Sequence, residues 1–305
     1  MQALPLMLAL AAGPPSGWVA LPTKALLGET VRCANWSRRE WSIQVTGDAI
    51  RPVLADDIPR QDSLPFPLSF EGAIPCDVEE PIAVRPDPAL AQEFPAEAQP
   101  PESRPSCAEW ALSYGEKFAR RYVLRLVEGW LIGFGGGEYG GSLWWYTQPD
   151  TRVRVAEGNV VDVLPVAQGR EALVFIGIEH MDVSEGQVYR LTTEGGRARL
   201  RPLGDLGAAP RLAISAPDES VVVLTSDRLW RIAADGATES VCSVDSSHLY
   251  PRSLVALPSG DIWVGMRHYV ARLRPRGAGA CDVQWFAPAD CPSFEVRGEE
   301  CICRQ

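Results

Sequence analysis

The sequence predicts an all-β fold made by repeating a four-stranded antiparallel unit, and three observations predict it. The first is a period. Leu143-Trp144-Trp145-Tyr146, Val188-Tyr189-Arg190-Leu191, Leu229-Trp230-Arg231-Ile232 and Val270-Ala271-Arg272-Leu273 superpose as third strands at offsets of 45, 41 and 41 residues. The second is an apolar strand ahead of each: Leu131-Ile132-Gly133-Phe134, Leu173-Val174-Phe175-Ile176, Val221-Val222-Val223-Leu224 and Ile262-Trp263-Val264-Gly265. The third is a tight turn and a further strand before that, with turns at Glu128-Gly129, Gly169-Arg170, Asp218-Glu219 and Ser259-Gly260. Short strands joined by such turns form hairpins. Most units then run into a more polar fourth strand, as at 197–203 and 238–244.

One such unit has two apolar faces and cannot cover either alone, so neighbouring units must do it. The expected architecture is therefore β-propeller-like over residues 107–290, with at least four sequential sheets between 121 and 290 arranged around an axis. A closed ring takes about four to eight blades. Either the four units close alone or an N-terminal hairpin joins as part of a fifth. Leu257-Pro258-Ser259-Gly260-Asp261-Ile262-Trp263-Val264-Gly265 resembles the blade motif of bacterial β-propeller repeat proteins, including the propellers attached to two-component sensors. The resemblance covers one blade directly and, through the period, about half the chain. It implies a fold and no activity, because propellers host many unrelated functions.

From the N-terminus, residues 1–20 read as a signal peptide. No charge occurs before Lys24, and Leu6-Met7-Leu8-Ala9-Leu10-Ala11-Ala12 is a short apolar run containing the cleavage-like triplet Ala9-Leu10-Ala11. Pro14 and Pro15 interrupt it before the roughly 20 residues a membrane helix needs, so no transmembrane segment is expected. Cys33 is too far from the run to be a lipid-modified terminus. Residues 21–55 form a strand region, with a hairpin of Trp41-Ser42-Ile43-Gln44-Val45, a Gly47-Asp48 turn and 50–54. Residues 56–106 are a Pro-rich extended segment. Twelve of the 26 prolines fall between Pro52 and Pro105, a density that excludes helix and sheet interior. Ser106-Cys107-Ala108-Glu109 has the form of a capping box for one short helix. Residues 291–305 are a Cys-rich tail.

With 46% hydrophobic and 22% charged residues the chain is globular, and its charge of -10 with pI near 4.9 argues against nucleic acid or anionic lipid as a partner. Lys24 and Lys117 are the only lysines, and Asn35 and Asn159 the only asparagines, a bias we read as that of a GC-rich bacterium. Asn35-Trp36-Ser37 is accordingly a glycosylation sequon in form only. Eight cysteines form an even set, expected as disulfides in a periplasmic or secreted protein. A zinc site would want Cys-x-x-Cys knuckles, and Cys301-Ile302-Cys303 is the only close pair. In the tail, a hairpin turning at Arg297-Gly298 brings Cys291 to Cys301 or Cys303. Cys301 and Cys303 lie on one face of one strand and do not bridge each other, so the remaining one needs a partner such as Cys281.

Few chemistries survive. Gly135-Gly136-Gly137-Glu138-Tyr139-Gly140 matches G-x-G-x-x-G, but an aromatic strand follows where a dinucleotide site needs a helix N-terminus. A close-approach loop is the better reading. No G-x-S-x-G, H-E-x-x-H or P-loop occurs, and the histidines are three: His180, His248 and His268. The acidic pairs Asp56-Asp57, Glu79-Glu80 and Glu299-Glu300 read as solvated loops. Trp144, Trp145, Tyr189, Trp230 and Trp263 sit inside strands, where rings fill the space between sheets. Neither cofactor nor metal is expected.

In a four-stranded blade, the loop between strands two and three opens on the same side as the connection to the next blade. That places Glu138, Tyr139, Glu179, His180, Asp182, Glu185, Asp227, Arg267, His268 and Tyr269 on one rim, joined by His248 and Tyr250 from a connector. Loops on a rigid scaffold are where binding residues concentrate. The expected function is an exported non-catalytic binding or interaction protein using this rim, its partner another exported protein or an envelope carbohydrate. The alternative is a periplasmic metal-assisted lyase or hydrolase with His180, Glu179 and Asp182 as ligands or acid/base groups. A purely structural envelope protein is the third possibility.

Overall fold

The structure, a computed structural model, describes residues 13–22, 29–46, 49–55, 120–148, 151–181, 183–277, 279–298 and 300–303. The N-terminal part supplies β1 (Trp18–Ala20), helix α1 (Glu29–Trp36), β2 (Trp41–Thr46) and β3 (Ala49–Leu54). Four antiparallel sheets follow in sequence. They are β4 to β7 (Arg120–Leu126, Gly129–Gly135, Gly141–Gln148, Thr151–Glu157) and β8 to β11 (Val160–Val166, Glu171–His180, Val183–Glu194, Arg197–Asp205). Next come β12 to β15 (Pro210–Ser215, Val221–Thr225, Arg228–Ile232, Thr238–Ser243) and β16 to β19 (Ser253–Ala256, Ile262–Gly265, Val270–Gly277, Ala280–Pro288). The tail is a hairpin of β20 (Phe294–Arg297) and β21 (Glu300–Cys303).

Within each of the four sheets the four consecutive strands keep chain order, and the first strands β4, β8, β12 and β16 stand side by side, with β2 next to β16. The sheets are thus blades around an axis, and the four segments aligned from the sequence are the third strands β6, β10, β14 and β18. Burial explains the pattern. All five residues of β13 are buried, because both of its faces meet a neighbouring blade. Alternate side chains divide between the two interfaces. Val221 and Val223 join Leu173, Phe175 and Val188 of the second blade, whereas Val222 and Leu224 join Val264, Ala271 and Leu273 of the fourth. Likewise Ala172 and Val174 pack with Leu131, Leu143 and Trp145 of the first. Each fully buried side chain of this size contributes about 1.5–3 kcal/mol.

Three second strands carry a glycine at or near their ends for a steric reason. A Cβ on Gly135 would lie 2.3 Å from the Val160 carbonyl oxygen, one on Gly177 2.5 Å from Pro210 Cδ, and one on Gly265 2.3 Å from the Trp41 carbonyl oxygen. In each case the obstacle belongs to the first strand of the next unit. The third case matters most, because it makes the β2–β3 hairpin the successor of the fourth blade. That docking is reinforced by Trp41 N–H donating to the Met266 carbonyl at 3.0 Å and Ile43 N–H donating to Ser253 Oγ at 2.8 Å. The hairpin therefore supplies two strands of a fifth unit. Pro52 is tolerated there because, among the described residues, β3 pairs on one side only, with β2. β1 adds a fifth strand to the fourth blade through β19, although Trp18–Ala20 fall in the stretch read as a leader.

Disulfides join Cys291 to Cys303, Cys33 to Cys301, and Cys242 to Cys281. The first is one of the two pairings expected for the tail, and Gly298 turns the hairpin with a φ of 59°. The expectation that Cys281 takes the remaining tail cysteine is corrected. Cys281 on β19 pairs with Cys242 on β15, stapling blade four to blade three. Cys301 instead meets Cys33, because α1 packs on the tail hairpin. The helix expected at 106–109, the Gly47-Asp48 turn, Cys76 and Cys107 lie outside the described residues. Among the described residues, no helix is long and apolar enough to cross a membrane.

Candidate axial binding site

The connectors into the first strands and the loops after the second strands meet around one open cavity of about 450 Å³. Its charged lining comes from successive units: Glu40 before β2, Arg120 opening β4, Glu179 near the end of β9, Arg211 in β12, Arg252 before β16 and Arg267 after β17. Gly135 and Gly137 of the glycine-rich segment also line it; close approach holds at Gly135, whereas Gly137 and Gly140 face open space with φ of 61° and 83°, and strand β6 follows. Asn159 ties the loop down, its Nδ2 donating to the Gly137 carbonyl at 2.7 Å.

The arginines are oriented by specific partners. Arg267 donates from Nε and Nη2 to Glu40 Oε1, at 3.2 and 2.8 Å, and Arg252 Nε lies 3.7 Å from the other Glu40 oxygen. Arg267 also lies over the Tyr250 ring, 4.0 Å from its centroid. Tyr250 is 43% exposed and donates its hydroxyl proton to Asn35 Oδ1 at 3.0 Å. Arg211 pairs with Glu179. Arg120 hydrogen-bonds Tyr122, a lining residue whose phenol is held above its usual pKa chiefly by burial. Asp162 on β8 faces β12 in the same inner ring. Burial pushes its pKa up to about 6, against the opposing pull of hydrogen bonds from the Val163 and Ala213 backbones and the charge of Arg120.

Of the residues singled out in the sequence, Glu179, Tyr250 and Arg267 line this cavity. His180 Nε2 lies 3.3 Å from Glu138, linking the loops of the first two blades, and both are substantially exposed. His248 is exposed on its connector. Tyr139 closes a 3-10 turn at Gly137–Tyr139, its side chain outside the described residues, as is Asp182. His268 and Tyr269 are corrected from rim to core, at 2% and 0% exposure. The tail hairpin folds over them, with Phe294 edge-on to both rings. His268 lies between two disulfides, Cys291 Sγ 3.9 Å from Nε2 and Cys301 Sγ 3.9 Å from Nδ1, with Ser37 Oγ 3.1 Å from Nδ1. Burial lowers its pKa to about 4, aided by Arg39 and opposed by Asp290. The group of Cys33, His268 and Cys301 is the one metal-competent cluster among the described residues, and its two cysteines are disulfide-bonded. The three histidines therefore do not share a metal-competent cluster there.

Non-glycine residues with positive φ occur at both ends of the blades: Met181, His248, Tyr250 and His268 at this end, with φ of 52°, 62°, 53° and 71°, and Ala167, Gln168 and Glu219 in the turns at the other. A second cavity, of about 340 Å³, lies along Arg272, Arg274 and Arg276 on β18. These arginines are paired with Gln284, Asp261 and Asp282 in a ladder across neighbouring strands. Sequence reasoning missed Glu40, Arg120, Arg211 and Arg252. Their common signal is position, each lying within about a residue of the start of an inner strand.

No family model and no curated protein matches the chain. Among solved structures it is similar to virginiamycin B lyase from Staphylococcus aureus, at 12% identity over 54% of this chain and 55% of that one, with a TM-score of 0.36. It is also similar to a protein from Lactobacillus plantarum, at 15% identity over 57% of each chain and TM-score 0.39. An auxiliary nutrient binding protein from Bacteroides thetaiotaomicron matches at 14% identity over 56% of this chain and 43% of that one, with TM-score 0.36. The chain thus spans little more than half the length of the first two. At these TM-scores the likenesses carry no argument about this chain. By its own sheet order this chain is β-propeller-like, with four blades and a docked N-terminal hairpin among the described residues.

Proposed function

We propose that the chain is an exported, non-catalytic binding protein that holds its ligand at the axial cavity and the surrounding loop rim. One observation carries the reading: charged groups and Tyr250, delivered by units from both ends of the chain, converge on a single cavity of about 450 Å³. That volume is in the range of small-molecule sites, about 300–1,000 Å³. The strained backbone at Met181, His248 and Tyr250 on the same rim fits a preorganised surface. Export is supported by the disulfides, which persist in oxidising compartments. The test is a thermal-shift screen of the purified chain against soluble metabolites and envelope sugars, repeated on Tyr250→Ala. A ligand that raises the melting temperature of the parent and loses that effect in the variant supports the reading. Hits indifferent to substitutions at the cavity contradict it.

A further inference from the structure

The composition of the cavity wall is opposite in sign to that of the chain. The protein carries a formal charge of -10, yet four arginines line the cavity against two glutamates. Adding Asp162, which feels the charge of Arg120 from the inner ring, still leaves the arginines in the majority. Concentrating guanidinium groups at one point of an acidic molecule is unfavourable unless something compensates it. The internal glutamates do so only in part.

The existing pairs also display the geometry the site offers. Arg267 presents Nε and Nη2 to a single carboxylate oxygen of Glu40 while Arg252 approaches the other oxygen. Two guanidinium groups thus share one carboxylate, and Glu40 occupies only some of the five donors that each of them carries. Arg120 and Arg211 enter from the first and third blades, so the positive groups surround the mouth instead of forming one patch. A ligand engaging several of them needs more than one anionic group. The cavity volume restricts it to a small molecule.

We propose that the axial mouth is a site for a compact polyanion, a small molecule bearing two or more carboxylate or phosphate groups. The assignment rests on the binding-protein reading and names the ligand class for that same cavity. Carboxylate and phosphate share the fork chemistry, and the probes separate them.

The experiment is calorimetric titration of the full oxidised chain at low salt with citrate and with pyrophosphate, alongside neutral glucose and cationic spermidine. Citrate or pyrophosphate is expected to bind, and glucose and spermidine are not. Whichever anion binds more tightly identifies the group. Arg120→Gln and Arg211→Gln should each weaken binding by about tenfold or more, the scale of one lost charge-assisted hydrogen bond. Arg120→Lys, which keeps the charge without the fork, should fall between the two. Arg197→Gln, on the exposed outer strand β11, should bind as the parent does. Thermal melts of every variant confirm folding, and the Lys variant remains informative if a Gln variant does not fold. The proposal is overturned if neither anion binds at millimolar concentration, or if the arginine variants bind either anion undiminished. Should glucose or spermidine bind and be lost in Tyr250→Ala, the polyanion assignment falls while binding at the mouth stands. If no probe responds to any substitution at the mouth, both fall.

Discussion

Asp162 and His268 give stability opposite dependences on pH over the same interval. Burial raises the folded-state pKa of Asp162 from 3.8 to about 6, so between these values the folded chain holds a proton that the unfolded chain has released. Stability from this group is present below the unfolded pKa and declines as pH rises. Burial lowers His268 from 6.5 to about 4, so there the unfolded chain holds the extra proton and stability increases with pH. Each shift corresponds to about 3 kcal/mol as an upper figure. In the parent chain the slopes oppose each other. Asp162→Asn should expose a melting temperature that climbs from pH 4 to 6.5, and His268→Gln one that falls from pH 4 to 6. Identical pH profiles in parent and variants would contradict the burial of these groups. At this scale the sequence was only partly legible. Blade topology located Glu179, Tyr250 and Arg267 at the mouth, because hairpin loops and connectors open on one side. It misplaced His268 and Tyr269, because a tail more than twenty residues away folds over them and local spacing carries no trace of that. Arg120, Arg211 and Arg252 went unnoticed because each stands at or beside the start of an inner strand, where no motif marks it.

Among elements, the second strands were the most legible, since burial on both faces writes a continuous apolar run into the chain. β1 and α1 were not, at three and eight residues, because neither is long enough to establish a period. The glycines that close second strands make a prediction of their own. Gly177→Ala would drive a methyl group into Pro210 and the Glu185 carbonyl, and Gly135→Ala into the Val160 carbonyl. Each should cost about 1–3 kcal/mol, read from denaturant unfolding. Unchanged midpoints would mean that the blades do not meet there. The disulfides should rank by the loop they close. Replacing Cys33 and Cys301 by Ala opens a separation of 268 residues, and replacing Cys291 and Cys303 one of 12. The chain-entropy model gives about 6 and about 3 kcal/mol respectively, so the first pair of substitutions should lower stability more. The reverse order would place the native-state contribution of the tail hairpin above that of the long-range tie.

For the whole molecule, the period implied blades but left open whether four units close alone or recruit the N-terminal hairpin. The hairpin is recruited, and the reason is steric as well as electrostatic. Gly265 admits the Trp41 backbone, and Glu40 binds Arg267 across the same junction. β1 on the outer edge of the fourth blade and the Cys33–Cys301 bond draw the N-terminal region and the tail to one place. Glu40 from the N-terminal hairpin and Arg120 from the first blade then face one cavity, so the site exists only if the ends of the chain assemble this way. The most direct measurement of that assembly is disulfide mapping of the unreduced protein by proteolysis and tandem mass spectrometry, with fragmentation that locates bonds on either side of Ile302. We expect Cys33 linked to Cys301, Cys242 to Cys281 and Cys291 to Cys303. Cys33 joined to Cys76 or Cys107, or Cys301 joined to Cys291, would contradict the joining of the chain ends and with it the axial site.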